Sequence, residues 1–225
     1  VRKLINKRIN EFTATDLRLG KLRCSSIDDQ STDKIKNYLS RCQSVKYLNF
    51  MHCKICSSKH NNLLEIAKLC PKLNGINITS SRIELTDNQW DEFVKFIGPK
   101  LTECNCAVFP KNQHNLKLIK KLFNQFRMIE TVEFDTPTPE WATELFGHLN
   151  SCENLNKLIW NKILSYCPIV TNQIANVINR IKYLEINFKD FTYLNCKMDN
   201  LIDLKFILSY NGIDQFNQMD SIEFP

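Results

Sequence analysis

The chain has 225 residues, 43% of them hydrophobic and 24% charged, with five Gly and seven Pro. That composition belongs to a folded globular protein and leaves little for flexible linkers or low-complexity tails. No apolar run approaches the roughly 18–20 residues of a membrane-spanning helix, and the N-terminal VRKLINKRINEF lacks the apolar core of a secretory signal.

Along the chain one pattern recurs, apolar-x-x-apolar-x-apolar. Its first position falls at Ala14, Val45, Leu73, Leu101, Ile129, Leu155, Ile181, Leu201 and Met219, at intervals of 31, 28, 28, 28, 26, 26, 20 and 18. Three successive intervals of 28 mark a repeat protein. The period-two apolar residues within each match predict short strands with one buried face. These lie near 14–20, 45–51, 73–79, 101–107, 129–135, 155–161, 181–187, 201–207 and 219–225.

Between the strands the apolar spacing turns helical. Ile35, Tyr38 and Leu39 make the first stripe, then Leu63, Leu64, Ala67 and Leu69. Trp90, Phe93, Val94 and Ile97 follow a start signal at Thr86; Leu116, Ile119, Leu122, Phe123 and Phe126 come next. Trp141, Leu145, Phe146 and Leu149 stand behind Thr138-Pro139, and Ile174, Val177, Ile178 and Ile181 complete the series. Strands joined through helices run parallel, with right-handed crossovers. The later intervals are too short for a full helix, so Leu201 to Pro225 is read as closing strands. The expectation is one α/β domain over residues 1–225, with about eight or nine parallel strands. The chain begins at Val1 rather than Met and is read as a piece of a longer protein or a processed chain.

The nonamers CQSVKYLNF, CPKLNGINI, GPKLTECNC, FRMIETVEF and CENLNKLIW carry the pattern. The chain resembles the leucine-rich repeat family, whose unit is L-x-x-L-x-L-x-x-(N/C)-x-L. Val45, Leu48, Phe50, Cys53 and Ile55 match all five positions, whereas Ser81, Phe109, Pro137 and Ile163 depart at the ninth. The resemblance implies a horseshoe solenoid with its parallel sheet on the concave side and its helices on the convex side. Cys42, Cys70 and Cys152, just before their strands, resemble the cysteine-containing repeats of F-box proteins. That resemblance implies substrate recognition for a ubiquitin ligase, with the ligase adaptor as a partner if an F-box lies upstream.

Of ten cysteines, several fall at equivalent places in the repeat beside apolar residues, which suits buried, reduced thiols and a cytoplasmic or nuclear setting. In HCKICSSKH, Cys53 and Cys56 form a C-x-x-C pair near His52 and His60, but no second pair completes a tetrahedral metal site. Cys104 and Cys106 stand at core positions of their strand. No G-x-S-x-G, Gly-rich phosphate loop or H-E-x-x-H occurs. No catalytic residue, cofactor or metal is assigned, and an enzyme with a loop-built site has no support in the sequence.

The third, fifth and seventh residues of each repeat strand are expected to face solvent on the concave sheet. Over the nine strands seven of these are acidic and three basic, a balance of −4 in a chain of formal charge +6. The surplus cations are assigned to helices such as Lys117 to Arg127. The candidate partner-binding residues are Tyr47, Asn49, Met51, Asn77, Glu103, Asn105, Glu133, Asp135, Lys157, Ile159, Tyr183 and Glu185. Such a face does not suit nucleic acid, whose binding rests on phosphate neutralisation. It suits a neutral or basic polypeptide. The functional expectation is a non-enzymatic protein-interaction module with no membrane partner. The alternative is a ribonuclease-inhibitor-like regulator or receptor fragment unrelated to ubiquitin.

Overall fold

The computed structural model describes residues 21–23, 26–40, 44–56, 60–106, 113–136, 139–163, 172–187 and 198–207. In chain order the elements are β1 (Lys21–Arg23), β2 (Ser26–Ile27), α1 (Asp29–Leu39), β3 (Tyr47–Asn49), β4 (Lys54–Cys56) and α2 (Asn62–Lys68). There follow β5 (Gly75–Asn77), β6 (Arg82–Glu84), α3 (Asp87–Ile97), a 3₁₀ turn (Gly98–Lys100), β7 (Glu103–Asn105) and α4 (Gln113–Phe123). The last are β8 (Thr131–Thr136), α5 (Pro139–Asn150), β9 (Lys157–Ile163), α6 (Asn172–Arg180), β10 (Tyr183–Asn187) and β11 (Asp203–Ile207).

The fold is α/β. Among the described residues eight strands stand side by side in the order β1-β3-β5-β7-β8-β9-β10-β11, and every neighbouring pair is parallel. The register follows the repeat. Tyr47, Gly75, Glu103 and Thr131 are level at steps of 28 residues, then Lys157 and Tyr183 at 26, and Asp203 at 20. A one-residue slip would turn every core side chain outward. Instead Leu48, Ile76, Cys104, Val132, Leu158 and Leu184 form one buried row, and Phe50, Ile78, Cys106, Phe134, Trp160 and Ile186 a second. Cys104 and Cys106 thus pack inward where other repeats carry larger apolar residues.

The first strand differs from the expectation. Lys21 pairs with Tyr47 and Arg23 with Asn49, so the first interval is 26 residues rather than 31. The segment 14–20, and the closing strand expected at 219–225, lie outside the described residues. A second, three-stranded parallel sheet, β2-β4-β6, was not foreseen. Its strands follow the turn that leaves the main sheet, and Ile27, Ile55 and Ile83 seal the core beneath it. Ser80 and His52 occupy the same place in that turn, 28 residues apart, and both take positive φ (54° and 58°).

Adjacent repeats are tied sideways. Ser81, at the ninth position of its repeat, is buried and its hydroxyl donates to Phe50 O at 2.5 Å in the preceding one. Trp90 Nε1 donates to Leu118 O at 2.6 Å, joining α3 to α4. Asn61 caps α2 through Leu64 N–H and donates its amide to Gln89 O on α3 at 2.6 Å. Asp28 with Ser31, and Thr86 with Gln89, form capping boxes at the starts of α1 and α3, satisfying backbone N–H groups that the helix itself leaves unpaired.

The basic stripe on α4 is not a reservoir of free charge. Lys117 pairs with Asp87 at 2.8 Å, Lys121 with Asp91 at 2.8 Å, and Lys120 with Glu144. These carboxylates sit on the flanking helices α3 and α5. Each such exposed pair is weak alone, but together they neutralise the stripe.

Candidate functional site

The face of the main sheet turned away from the helices carries two rows of side chains. One runs Tyr47, Gly75, Glu103, Thr131, Lys157, Tyr183, Asp203; the other runs Asn49, Asn77, Asn105, Glu133, Ile159, Glu185, Lys205. Side chains alternate across a strand, so the buried rows behind dictate that these point forward. Glu103, Asn105, Glu133, Lys157 and Ile159 are half-buried, Met51 is 46% exposed and Tyr183 40% exposed.

Two candidates are not surface groups. Tyr47 and Asn77 are each only 8% exposed. Gly75, level with Tyr47 on the next strand, has no side chain, and the tyrosine ring lies in the space. A Cβ on Gly75 would stand 2.3 Å from Tyr47 Cδ2. The ring thereby crosses β5, and its hydroxyl donates to the Glu103 carboxylate on β7. Asn77 turns back on its own chain, where its Oδ1 accepts from Thr79 N–H at 2.9 Å; Asn49 does the same for Met51 N–H at 3.0 Å. Both asparagines therefore hold the exit of their strands.

Glu133 and Glu185 are also held in place. Glu133 Oε1 accepts from Asn161 Nδ2 at 2.8 Å, and Glu185 Oε1 pairs with Lys205 Nζ at 3.1 Å. Asp135 follows a register shift between Phe134 and Asp135 that sets it level with Lys162 instead of Asn161. The corrected first strand places Lys21 and Arg23 in the two rows where Asp16 and Arg18 were expected. Glu103 and Glu133, on the central strands β7 and β8, form an acidic zone in the middle of the face.

Burial, with the neighbouring Glu103 and Glu133 carboxylates, pushes the Tyr47 phenol far above its ordinary value near 10. The unfolded chain ionises this group near pH 10 while the fold keeps it protonated. Its stabilising contribution is therefore complete below pH 10 and is lost as pH rises beyond it. The unfolding free energy of the wild type should fall above pH 10 more steeply than that of Tyr47→Phe, by up to about 1.4 kcal/mol per pH unit. Parallel urea titrations of the two proteins check this; equal slopes would remove Tyr47 from the account.

Gly75→Ala should cost about 1–3 kcal/mol, because the new methyl must drive the ring from its seat. In the variant the Tyr47 phenol should titrate closer to pH 10, as seen by ultraviolet difference spectroscopy. The double variant Gly75→Ala/Tyr47→Ala should cost less than the sum of the two singles.

In HCKICSSKH the thiols are occupied with backbone. Cys53 is buried, burial pushes its thiol up to about 12, and Sγ donates to Lys54 O at 3.5 Å. Cys56 Sγ donates to Ile27 O at 3.5 Å, while His52 and His60 are exposed. Among the described residues no three His, Cys, Asp or Glu side chains converge on a common point that would hold a metal ion. No family model matches the chain, and no curated protein matches it at a significant level.

Proposed function

We propose that the chain is a horseshoe of the leucine-rich repeat type and a non-enzymatic interaction module, with the open face of its main sheet holding a polypeptide of neutral or basic character. The carrying observation is the acidic middle of that face. Glu103 and Glu133 stand there, with Glu185 and Asp203 toward the β11 edge, against Lys157 and Lys205, and Lys205 is already paired with Glu185. Glu103, Glu133 and Glu185 are held by Tyr47, Asn161 and Lys205. Pre-set charges lose little side-chain entropy when a cationic partner arrives. Ile159 and Tyr183 beside them supply apolar contact of the kind that anchors interfaces.

A more specific version makes the chain the substrate-recognising part of an F-box type ubiquitin ligase. It is supported by the equivalence of the pre-strand cysteines. Cys70 and Cys152 are both buried, and each thiol donates at 3.5 Å to the carbonyl four residues earlier (Ile66 and His148). Co-purification of the longer natural protein with a ligase adaptor tests this version, and its absence would return the reading to a general interaction module.

The main reading is tested on an array of peptides graded from acidic to basic. The wild type should retain Lys- and Arg-rich peptides in a salt-sensitive manner. The neutralised variant Glu133→Gln/Glu185→Gln should lose roughly tenfold, since charge-assisted contacts contribute about 1.5–3 kcal/mol each before screening. Undiminished retention by a folded variant, or a preference for acidic peptides, would refute it.

A further inference from the structure

The edge of the molecule at the N-terminal ends of the main strands is one continuous line. Asn74 N–H donates to Lys46 O, Thr102 to Asn74, Glu130 to Thr102, Asn156 to Glu130, Lys182 to Asn156 and Ile202 to Lys182. Helices α2 and α3 end at the same edge, with Lys68 and Lys95 in their last turns. Over the repeats of β3 to β8 this edge is basic. Lys46, Lys68, Lys72, Lys95, Lys100 and Arg127 are all exposed. None of them forms an ion pair with a carboxylate among the described residues, in contrast to Lys117, Lys120 and Lys121. Glu130 and Glu153 close the patch on its far side.

Cations in a last helical turn complement the helix dipole, which accounts for Lys68 and Lys95. Lys46, Lys72, Lys100 and Arg127 lie outside the α-helices; of these, Arg127 Nη1 donates to Phe126 O at 2.7 Å and Asn124 O at 3.3 Å just past the end of α4, and Lys100 Nζ stands 3.7 Å from the centre of the Phe96 ring. Exposed apolar residues stand directly beside three of these four: Pro71 before Lys72, Pro99 before Lys100, and Met128 after Arg127. Met128 is 50% exposed. Neighbouring strands are about 4.8 Å apart, so the connecting-segment cations form one row and the helix-end lysines a second. The result is a two-dimensional field of charge with apolar points in it, which fits a surface better than a single extended chain.

We propose that this edge seats on an anionic phospholipid surface, with the cations over the headgroups and Met128 inserted between them. This is a different side of the molecule from the open sheet, so both contacts can form together. The lack of a spanning apolar run, from which no membrane partner was expected, does not bear on a peripheral contact of this kind. Each cation near an anionic leaflet strengthens binding roughly fivefold, and salt weakens the attraction.

The test is co-sedimentation of the full chain with vesicles of phosphatidylcholine alone and of phosphatidylcholine with phosphatidylserine. The protein should sediment only with the anionic vesicles, less so as salt is raised. Lys72→Gln/Lys100→Gln should weaken partition roughly 25-fold, and Met128→Ser about tenfold through lost apolar burial. Lys117→Gln/Lys120→Gln, whose lysines are paired between helices, should bind as the wild type does; circular dichroism confirms that each variant is folded. Equal sedimentation with both vesicles, or undiminished binding by the Lys72/Lys100 variant, would overturn the proposal. So would an inert Met128→Ser combined with equal affinity for polyglutamate, which would reduce the patch to a general attraction for polyanions.

Discussion

Replacing Trp90 with Ala should lower the unfolding free energy by about 3–5 kcal/mol, the range for emptying a large aromatic site in a core. Trp90 is 0% exposed. Its ring centroid lies 5.4 Å from that of Phe93 on the same helix, and its indole N–H reaches Leu118 O on α4 at 2.6 Å. The substitution thus opens a cavity and removes the hydrogen bond that links the two helices in one step. Trp90→Phe separates the two effects. It keeps most of the apolar volume and should cost about 0.5–1.5 kcal/mol, the net contribution of one hydrogen bond, since Leu118 O lies within α4 and keeps its helical partner. Because repeats contact chiefly their neighbours, weakening the α3–α4 contact should also broaden the Trp90→Ala transition in urea followed by circular dichroism. A loss below about 1 kcal/mol would mean that α3 and α4 do not pack as described.

Phe134→Ala should cost a similar 3–5 kcal/mol, for a different reason. Phe134 is the centre of an aromatic group, with ring centroids 6.3 Å from Trp141, 5.7 Å from Phe146 and 5.9 Å from Trp160. The four residues come from three elements, β8, α5 (Trp141 and Phe146) and β9, so the ring joins two repeats through both layers. Aromatic pairs of this geometry contribute about 0.5–1.5 kcal/mol beyond their buried area, and a double-mutant cycle between Phe134 and Trp160 should recover a coupling in that range. Tryptophan emission is the convenient probe, since Trp141 and Trp160 both line the cavity. A red shift at a urea concentration where the wild type is folded is the expected signature.

The repeat was legible because its signal is local. Leu48 and Phe50, or Ile76 and Ile78, show a buried face within three residues, and the interval of 28 then sets the level of each strand against the next. What escaped needed a neighbour to decide it. Both Ala14-Leu17-Leu19 and Leu19-Leu22-Cys24 satisfy the apolar pattern, and only pairing with β3 selects the strand that contains Leu22. The strands of the second sheet, such as Arg82-Ile83-Glu84, are too short to read without their lateral partners. Alternation correctly assigned Tyr47 to the open face, but not that its ring lies down. That depends on an absent side chain at Gly75, on the next strand. The stripe at Lys117, Lys120 and Lys121 looked like surplus charge because Asp87, Asp91 and Glu144 are about a repeat away.

The uniform step between neighbouring strands also bears on how fast the chain acquires its structure. A parallel sheet ordinarily demands pairing between distant segments and folds slowly for that reason. Here each strand pairs with one only 20 to 28 residues away, at most about one-eighth of the 225-residue chain. The loop to be closed is the same modest size at almost every step, and its entropy grows only slowly with length. An all-parallel sheet of eight strands therefore has the contact order of a mixed or helical domain. Folding can begin wherever one helix and its two flanking strands first meet, and spread outward from there.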